Sequence, residues 1–278
     1  MPRNIVSAML REGLYTQVIG RRILFFQRLS STMEEAARQA GEDAEEGTVV
    51  IAEEQEAGRG RFQRAWVSAP GNLYLSIVLH PSLFAMQYLS IISGLAVVRA
   101  IRKTTGMKPT LKWPNDVRIG GKKVCGVLVE SAVRGDRVEY GIVGIGINVD
   151  LNTNAVDGIA DIATSLNKES RTKVDREVLL KNLLHEMDRL YVALREPLGP
   201  SHSATSGLAR GGPTLQGVMD EWRGLLETLG SQVEVRWQNE IYTGFAEDVD
   251  QVGNLLLRRG DGALTTLPAG EVTTVTAP

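Results

Sequence analysis

The succession of strand-like and helical segments changes near Gly230, and this change most constrains the fold. After Gly230, five strand-like segments of five to nine residues, separated by turns, fit into under fifty residues. A run of short strands like this is typical of a small β-barrel. Before Gly230, strand-like and helical segments are mixed. We therefore predict an α+β fold, with a mixed β-sheet flanked by helices in residues 1–229 and a small β-barrel in residues 230–278.

The strand-like segments of the first part contain many β-branched and apolar residues. They cover residues 23–28, 48–54 and 72–80. Gly120 and Gly121 separate two apolar runs, at residues 116–119 and 124–131. A glycine pair in this position favours a primed two-residue turn, so the runs are predicted to form an antiparallel hairpin.

Helices are predicted between these strands. Ser31 followed by Glu34 matches a capping box, and a helix should run from there to about Ala40. Apolar residues at helical spacing predict further helices at residues 86–104, 176–194 and 215–229. Residues 195–213 are rich in Gly, Ser and Pro, which predicts a mobile surface loop.

Composition excludes several classes of protein. The 31 Lys and Arg residues are balanced by 33 Asp and Glu, so a net charge of −2 gives no global attraction to nucleic acid. The single cysteine, Cys125, cannot close an intramolecular disulfide, and its strand-like surroundings favour a buried apolar role. No stretch reaches the roughly 18 apolar residues of a membrane helix. We expect a cytoplasmic protein.

The most unusual local feature is an arginine-rich loop between two predicted strands. Arg59, Arg61 and Arg64 lie within six residues, with Gly60 between the first two and Gly58 directly before Arg59. Glycine permits backbone conformations that other residues resist, and it leaves room for a ligand. Arginines add charged, bidentate hydrogen bonds to anions. The loop suits phosphate or carboxylate, although a solvated surface loop remains an alternative reading.

A second cluster lies at residues 112–116, with the sequence KWPND. It combines a cation (Lys112), an aromatic ring (Trp113), an amide (Asn115) and a carboxylate (Asp116), and Lys123 follows the hairpin. Proline holds the neighbouring residues in a fixed turn. Each residue also has a simpler reading: Lys112 as a solvated charge, Trp113 as core packing and Asp116 as a turn cap.

Together these motifs resemble those of the biotin protein ligases, which attach biotin to a lysine of a carboxylase carrier domain. GRGR, KWPND, a Lys-x-x-Gly at residues 123–126 and GIGIN at residues 144–148 occur in the family's order. The resemblance extends from about Phe25 to the C-terminus. It implies a catalytic domain like those of class II synthetases in residues 1–229 and an SH3-like domain in residues 230–278.

The resemblance also implies roles for individual residues. Biotin would contact Ser31, Thr32, Met33, Gln55, Arg59, Gly60, Arg61 and Lys123. The catalytic residues would be Arg61, Lys112, Asp116 and Lys123, and the nucleotide would contact Arg64, Trp66, Asn115 and Asn148. Asp116 would also bind Mg²⁺. Alternatively to contacting the nucleotide, Trp66 has only a structural role at the end of the loop.

The reaction implied by the resemblance has two steps. ATP and Mg²⁺ activate biotin as biotinyl-5'-AMP, and a lysine of the carrier domain then displaces AMP. The arginines and Lys123 would offset the repulsion between the anionic reactants. Only about 22 residues precede the first predicted strand, so we expect a ligase without a DNA-binding domain. A homodimer is suggested by glycine-rich strand edges near residues 141–148, but the sequence leaves monomer or dimer open.

Three positions depart from the family's common pattern. Met33 replaces a common Asn, Gln63 replaces a common Gly, and Phe62 often has an Arg counterpart. The first change removes a polar contact. The other two make the second half of the loop less flexible, which disfavours its closing motion. The departures at Met33 and Gln63 support one alternative, a binding module that has lost catalysis. A lipoate or octanoate transferase, which shares the catalytic fold, is a second alternative, although KWPND and the C-terminal barrel argue against it.

Overall fold

The computed structural model describes residues 13–153, 156, 158–195, 213–268 and 271–274. Most of the predicted mobile loop at residues 195–213 lies outside this described part. Seven strands form the larger sheet: β1 Ile23–Leu29, β2 Val49–Gln55, β3 Leu73–Leu79, β4 Thr110–Lys112, β5 Asp116–Ile119, β6 Lys122–Arg134 and β7 Arg137–Ile147. Their spatial order is β1-β2-β3-β7-β6-β5-β4. Only the β1–β2 pair among these neighbours is parallel, so the predicted mixed sheet is confirmed.

The described helices are α1 Thr32–Gly41, α2 Leu83–Met86, α3 Leu89–Thr105, α4 Leu166–Ser170, α5 Arg176–Arg195 and α6 Leu215–Leu225. The helix predicted over residues 86–104 is interrupted near Tyr88, which separates α2 from α3. The helix predicted to reach residue 229 ends at Leu225. It stops there because the next residues pair with β4: Leu226 bridges Leu111, and the Glu227 N–H donates to the Leu111 carbonyl at 2.9 Å.

Side-chain alternation divides the sheet into two faces. On one face, Val49, Ile51, Val143 and Ile145 pack into the large core that includes α3 and α5. On the other, Val50, Val78 and Ile142 pack against α1. One face is thus filled by long apolar helices, whereas the face of α1 is only partly covered.

The predicted hairpin is confirmed, and so is half of the predicted capping box. Gly120 and Gly121 have φ values of +57° and +76°, as a primed turn between β5 and β6 requires. Ser31 Oγ accepts the N–H of Met33 at 3.2 Å and caps α1. Glu34 is the other partner of the predicted box. Its carboxylate faces a cation instead, with Oε1 at 3.9 Å from Arg59 Nη1.

All five predicted C-terminal strands are present: β8 Gln232–Trp237, β9 Glu240–Val249, β10 Leu255–Arg258, β11 Leu264–Leu267 and β12 Glu271–Thr274. They form an antiparallel sheet in the order β11-β10-β9-β8-β12. In the described residues, β11 and β12 remain its edges, so the ladder does not close into a barrel. The domain boundary at residues 229 and 230 stays a prediction.

Trp113 joins the two sheets, as its core-packing reading predicted. It is 2% exposed, and its indole N–H donates to the Gly253 carbonyl at 2.9 Å. Its backbone N–H donates to Thr228 Oγ1 at 2.9 Å. The peptide bond between Trp113 and Pro114 is cis. The KWPND turn is therefore held against the C-terminal sheet.

Strand β7 is central in the larger sheet, not an edge. It pairs with β3 on one side and β6 on the other. The expectation of glycine-rich edges near residues 141–148 is therefore wrong, and it no longer supports a dimer. The homodimer stays an untested prediction.

Candidate functional site

One cleft of about 450 Å³ opens on the α1 face of the sheet. Every predicted site residue lines it: Ser31, Thr32, Met33, Gln55, Arg59, Gly60, Arg61, Arg64, Trp66, Lys112, Asn115, Asp116, Lys123 and Asn148. They come from α1, four strands and four connecting segments. The fold thus brings the predicted set together, while the role of each residue stays a prediction.

One end of the cleft is a chain of neutral hydrogen bonds. Gln55 Oε1 accepts from the Thr32 backbone N–H at 2.8 Å and from Thr32 Oγ1 at 3.0 Å. Ser76 Oγ donates to Thr32 Oγ1 at 2.9 Å, and Gln55 Nε2 donates to Ser68 Oγ at 2.9 Å. These contacts fix the rotamers of Thr32 and Gln55. A neutral ligand with both donors and acceptors matches this end.

The arginine loop is a small hairpin that folds over the cleft. Arg59 bridges Ala65, and the Gly60 N–H donates to the Arg64 carbonyl at 2.7 Å. Gly58 is required for space, since a Cβ there would lie 2.5 Å from Ser68 Oγ and 2.7 Å from the Trp66 carbonyl oxygen.

The positive backbone angles of this loop do not fall where the sequence suggested. Gly60 has an extended backbone with φ of −109°, whereas Phe62 and Gln63 adopt φ of +55° and +58°. Left-handed backbone is unfavourable for residues with a Cβ. The two loop positions that depart from the family pattern, Phe62 and Gln63, therefore hold the bend at the loop's tip.

The arginines of the loop point in different directions. Arg59 Nη2 lies 3.4 Å from Glu130 Oε2. Arg61 Nη1 donates to Asn115 Oδ1 at 3.5 Å, and its guanidinium lies 5.0 Å from the centre of the Phe62 ring. Arg59 thus contacts the α1 end of the cleft, and Arg61 reaches the KWPND turn.

Lys123 on β6 is separated from Gln55 on β2 by strands β3 and β7, and it lies between a carboxylate and an aromatic ring. Its Nζ is 2.6 Å from Asp116 Oδ1 and 5.2 Å from the centre of the Trp66 ring. Strand register places Asp116 opposite Lys112 and Gly126. Two lysines and one carboxylate therefore meet at this end, which suits a ligand with negative charge.

The glycines of the inner strands make room for side chains on the floor of the cleft. A Cβ on Gly144 would lie 2.5 Å from Met33 Sδ, and one on Gly146 would lie 2.6 Å from Trp66 Nε1. A Cβ on Gly126 would lie 3.1 Å from Trp66 Cζ3. The absence of a side chain at Gly144 and Gly146 therefore leaves room for Met33 and Trp66.

The two asparagines of the site have clear structural contacts. Asn115 Nδ2 donates to the Val127 carbonyl, which ties the KWPND turn to β6. Asn148 is 3% exposed, and its Nδ2 donates to the Thr164 carbonyl at 3.1 Å. Their predicted contact with a nucleotide stays a prediction.

Several lining residues were missed by the sequence analysis: Arg118, Leu128, Ile159, Ile162 and Val272. Leu128 could have been found by alternation along β6, since it follows Gly126 on the same face. Ile162 had no local signal, because its segment reaches the cleft through a long-range contact: the Lys123 N–H donates to the Ile162 carbonyl at 2.9 Å. Val272 comes from the C-terminal sheet.

The acidic and thiol groups limit the chemistry of the site. Asp116 is the only acidic side chain among the described residues that line the cleft. No group of three or more His, Cys, Asp or Glu side chains in the described ranges could hold a metal ion.

Cys125 is buried, and this burial raises the pKa of its thiol far above the usual range. The thiol therefore stays protonated and unreactive, as predicted.

The sequence matches known families along most of its length. Residues 25–148 match the Biotin/lipoate A/B protein ligase family, and residues 228–273 match the Biotin protein ligase C terminal domain. The described helices include none with the length and apolar composition of a membrane span.

Two curated relatives and one solved structure illustrate the similarity. The Bifunctional ligase/repressor BirA of Bacillus subtilis (strain 168) is 34% identical over 265 residues, which are 94% of this chain and 77% of that protein. The Biotin--[acetyl-CoA-carboxylase] ligase of Paracoccus denitrificans is 33% identical over 229 residues, 80% of this chain and 88% of that protein.

The solved structure is the biotin protein ligase from Aquifex aeolicus in complex with biotin and ATP. It has 27% sequence identity and a TM-score of 0.74, and the match covers 92% of this chain and 100% of that one. The fold expected from the resemblance is therefore confirmed. Sequence identity over nearly the whole chain, together with this shared fold, shows that the protein belongs to the Biotin/lipoate A/B protein ligase family.

Proposed function

We propose that this protein is an ATP-dependent biotin ligase that forms biotinyl-5'-AMP and transfers biotin to a lysine of a carboxylase carrier domain. One observation carries the proposal: a single cleft joins a neutral hydrogen-bonding end at Thr32 and Gln55 to a cationic end at Lys112 and Lys123. Biotin has a neutral urea at one end and a carboxylate at the other. The cleft matches this order of groups.

In the first step, a biotin carboxylate oxygen attacks the α-phosphorus of ATP, and the bond to the β-phosphate breaks to release pyrophosphate. Both reactants are anions, so the step needs fixed positive charge. Lys123 and Arg61 supply it from two sides of the cleft. Trp66 forms part of the wall next to Lys123, where the adenylate would lie.

In the second step, the neutral amine of the acceptor lysine attacks the biotinyl carbonyl. The bond from this carbon to the phosphate oxygen breaks, and AMP leaves. No enzyme nucleophile takes part, which agrees with the protonated, buried thiol of Cys125. The loop over the cleft excludes water from the mixed anhydride until the carrier arrives.

Asp116 fits a limited role in Mg²⁺ binding. Magnesium bound to ATP commonly takes one or two protein carboxylates and fills its other positions with phosphate oxygens and water. Asp116 can supply one such oxygen, and Lys123 holds this carboxylate at the cationic end. Bound there, the ion would neutralise phosphate charge.

We also propose that the protein acts as a ligase alone in the cytoplasm, without binding DNA. Its net charge of −2 offers no overall attraction to a phosphate backbone. A fluorescently labelled duplex, titrated with the protein at low salt, tests the proposal. Tight, sequence-specific binding would refute it.

The test of the ligase reaction is transfer of radiolabelled biotin to a purified carboxylase carrier domain with ATP and Mg²⁺. Labelled carrier is the expected result, and a parallel assay with labelled lipoate should give none. Preferential labelling by lipoate would favour the other branch of the family. Binding of biotin without any adenylate would favour a binding module that has lost catalysis.

A further inference from the structure

Two carboxylates face Arg59, one of the cations that line the cleft. Its Nη2 lies 3.4 Å from Glu130 Oε2, and its Nη1 lies 3.9 Å from Glu34 Oε1. The Arg59 side chain is 30% exposed, compared with 41% for Glu130 and 49% for Glu34. The guanidinium is therefore the most enclosed member of the group, and its charge is compensated.

The two carboxylates belong to different elements beside the cleft, Glu34 to α1 and Glu130 to β6. Glu34 is the third residue of α1, a position whose side chain often returns to the helix cap. Here it faces Arg59 instead. Glu130 lies on β6 on the same face as Gly126 and Leu128, because side chains alternate along a strand. Arg59, which the loop carries, thus links α1 to β6 across one end of the cleft.

One donor of Arg59 has no partner among the described residues. Its Nε is buried and makes no hydrogen bond in this part of the chain. Buried polar atoms are nearly always paired, and Arg59 lines the cleft, so its unpaired Nε is a candidate donor to a bound ligand. The two terminal nitrogens face Glu130 and Glu34, whereas Nε is the buried donor of Arg59 that has no partner among the described residues.

From these contacts we infer that Glu130 and Glu34 position Arg59, so that its Nε donates to an uncharged acceptor oxygen of the bound substrate while the loop is held across the cleft. A compensated guanidinium is suited to a neutral oxygen such as that of a urea. The substrate carboxylate is then left to Lys123 and Arg61 at the other end. This inference rests on the proposed biotin ligase function.

The test measures how fast the protein releases biotinyl-AMP. Protein loaded with labelled biotin and ATP is chased with unlabelled biotin, and the bound label is followed with time. Glu130→Gln and Glu34→Gln should each speed release about fivefold, the size expected of a half-exposed charged hydrogen bond. The KM for biotin should rise in both variants, while the KM for ATP stays at the wild-type value.

A matched control is Glu56→Gln. Glu56 is 60% exposed, lies 3.6 Å from Arg28 and immediately precedes the loop, so its loss should leave release unchanged. In an Arg59→Ala background, Glu130→Gln should add no further effect, because its partner is gone. Thermal unfolding of each variant shows whether the fold is intact. If Glu130→Gln is unstable, Glu34→Gln on the helix surface provides the same test.

The outcomes separate the two claims. Failure of the wild-type protein to form biotinyl-AMP would overturn the proposed function. A wild-type protein that forms the adenylate, with Glu130→Gln and Glu34→Gln releasing it at the wild-type rate, would overturn the inference alone. An undiminished effect of Glu130→Gln in the Arg59→Ala background would also overturn it, since Glu130 would then act by another route.

Discussion

Gly146→Ala should displace Trp66 and weaken the nucleotide end of the cleft. The added Cβ would lie 2.6 Å from Trp66 Nε1, 2.7 Å from Cε2 and 3.0 Å from Cζ2. Gly146 is in the central strand β7, where backbone pairing on both sides resists movement. The indole ring must therefore move rather than the strand.

The expected size of the effect follows from this geometry. Normal carbon contacts lie at about 3.5–4.0 Å, so the ring must shift by about 1 Å. Overpacking of this kind costs about 1–3 kcal/mol of folding free energy. In a protein of this size that corresponds to a fall in Tm of roughly 2–4 °C per kcal/mol. A displacement of about 1 Å beside a reacting group can also slow the reaction on the order of 100-fold.

The assay combines thermal unfolding with ATP–pyrophosphate exchange. Gly146→Ala should lower the Tm and the exchange rate and raise the KM for ATP. The KM for biotin should change less, because Thr32 and Gln55 do not contact Gly146. Gly224→Ala is the matched control, since a Cβ there has no neighbour within 4 Å and α6 favours alanine.

A double variant checks that the effect acts through the ring. Trp66→Phe removes the indole nitrogen and the second ring, so Gly146→Ala should cost less folding free energy in that background. A Gly146→Ala protein with wild-type Tm and wild-type KM for ATP would refute the placement of Trp66 on Gly146. An equal loss of stability in both backgrounds would show that the strand, and not the ring, had moved.

Three further predictions concern single positions. Lys123→Ala should slow pyrophosphate exchange on the order of 100-fold. It should change the free energy of unfolding by less than about 1 kcal/mol, because the ion pair of Lys123 is partly exposed. An unaltered exchange rate would contradict this role. Gln63→Gly should keep retention of biotinyl-AMP near the wild-type value. Gln63→Val should speed its release about fivefold or more, because a β-branched residue resists the φ of +58° at this position. Equal retention by the two variants would show that this backbone angle is unimportant. Cys125, whose thiol pKa is raised by burial, should stay unmodified by a thiol reagent at mildly alkaline pH until the protein unfolds; rapid labelling of the native protein would disprove its burial.

The sequence predicted the local elements well because their signals are local. The Gly120-Gly121 turn was recognisable since only a primed turn suits two left-handed glycines between strands. Ser31 was recognisable as a cap because its oxygen bonds a neighbouring N–H. The helix predicted to residue 229 was too long, since the pairing of Leu226 with Leu111 joins residues far apart in the chain.

The order of the motifs along the chain determined the family, and with it the set of residues expected around the cleft. Which of these residues touch was decided only by the tertiary structure. The folded chain puts Trp66 of the loop on Gly146 and Met33 of α1 on Gly144, and it brings Glu130 of β6 to Arg59. Such contacts depend on strand order and register between distant segments, and neither periodicity nor turn chemistry encodes that information.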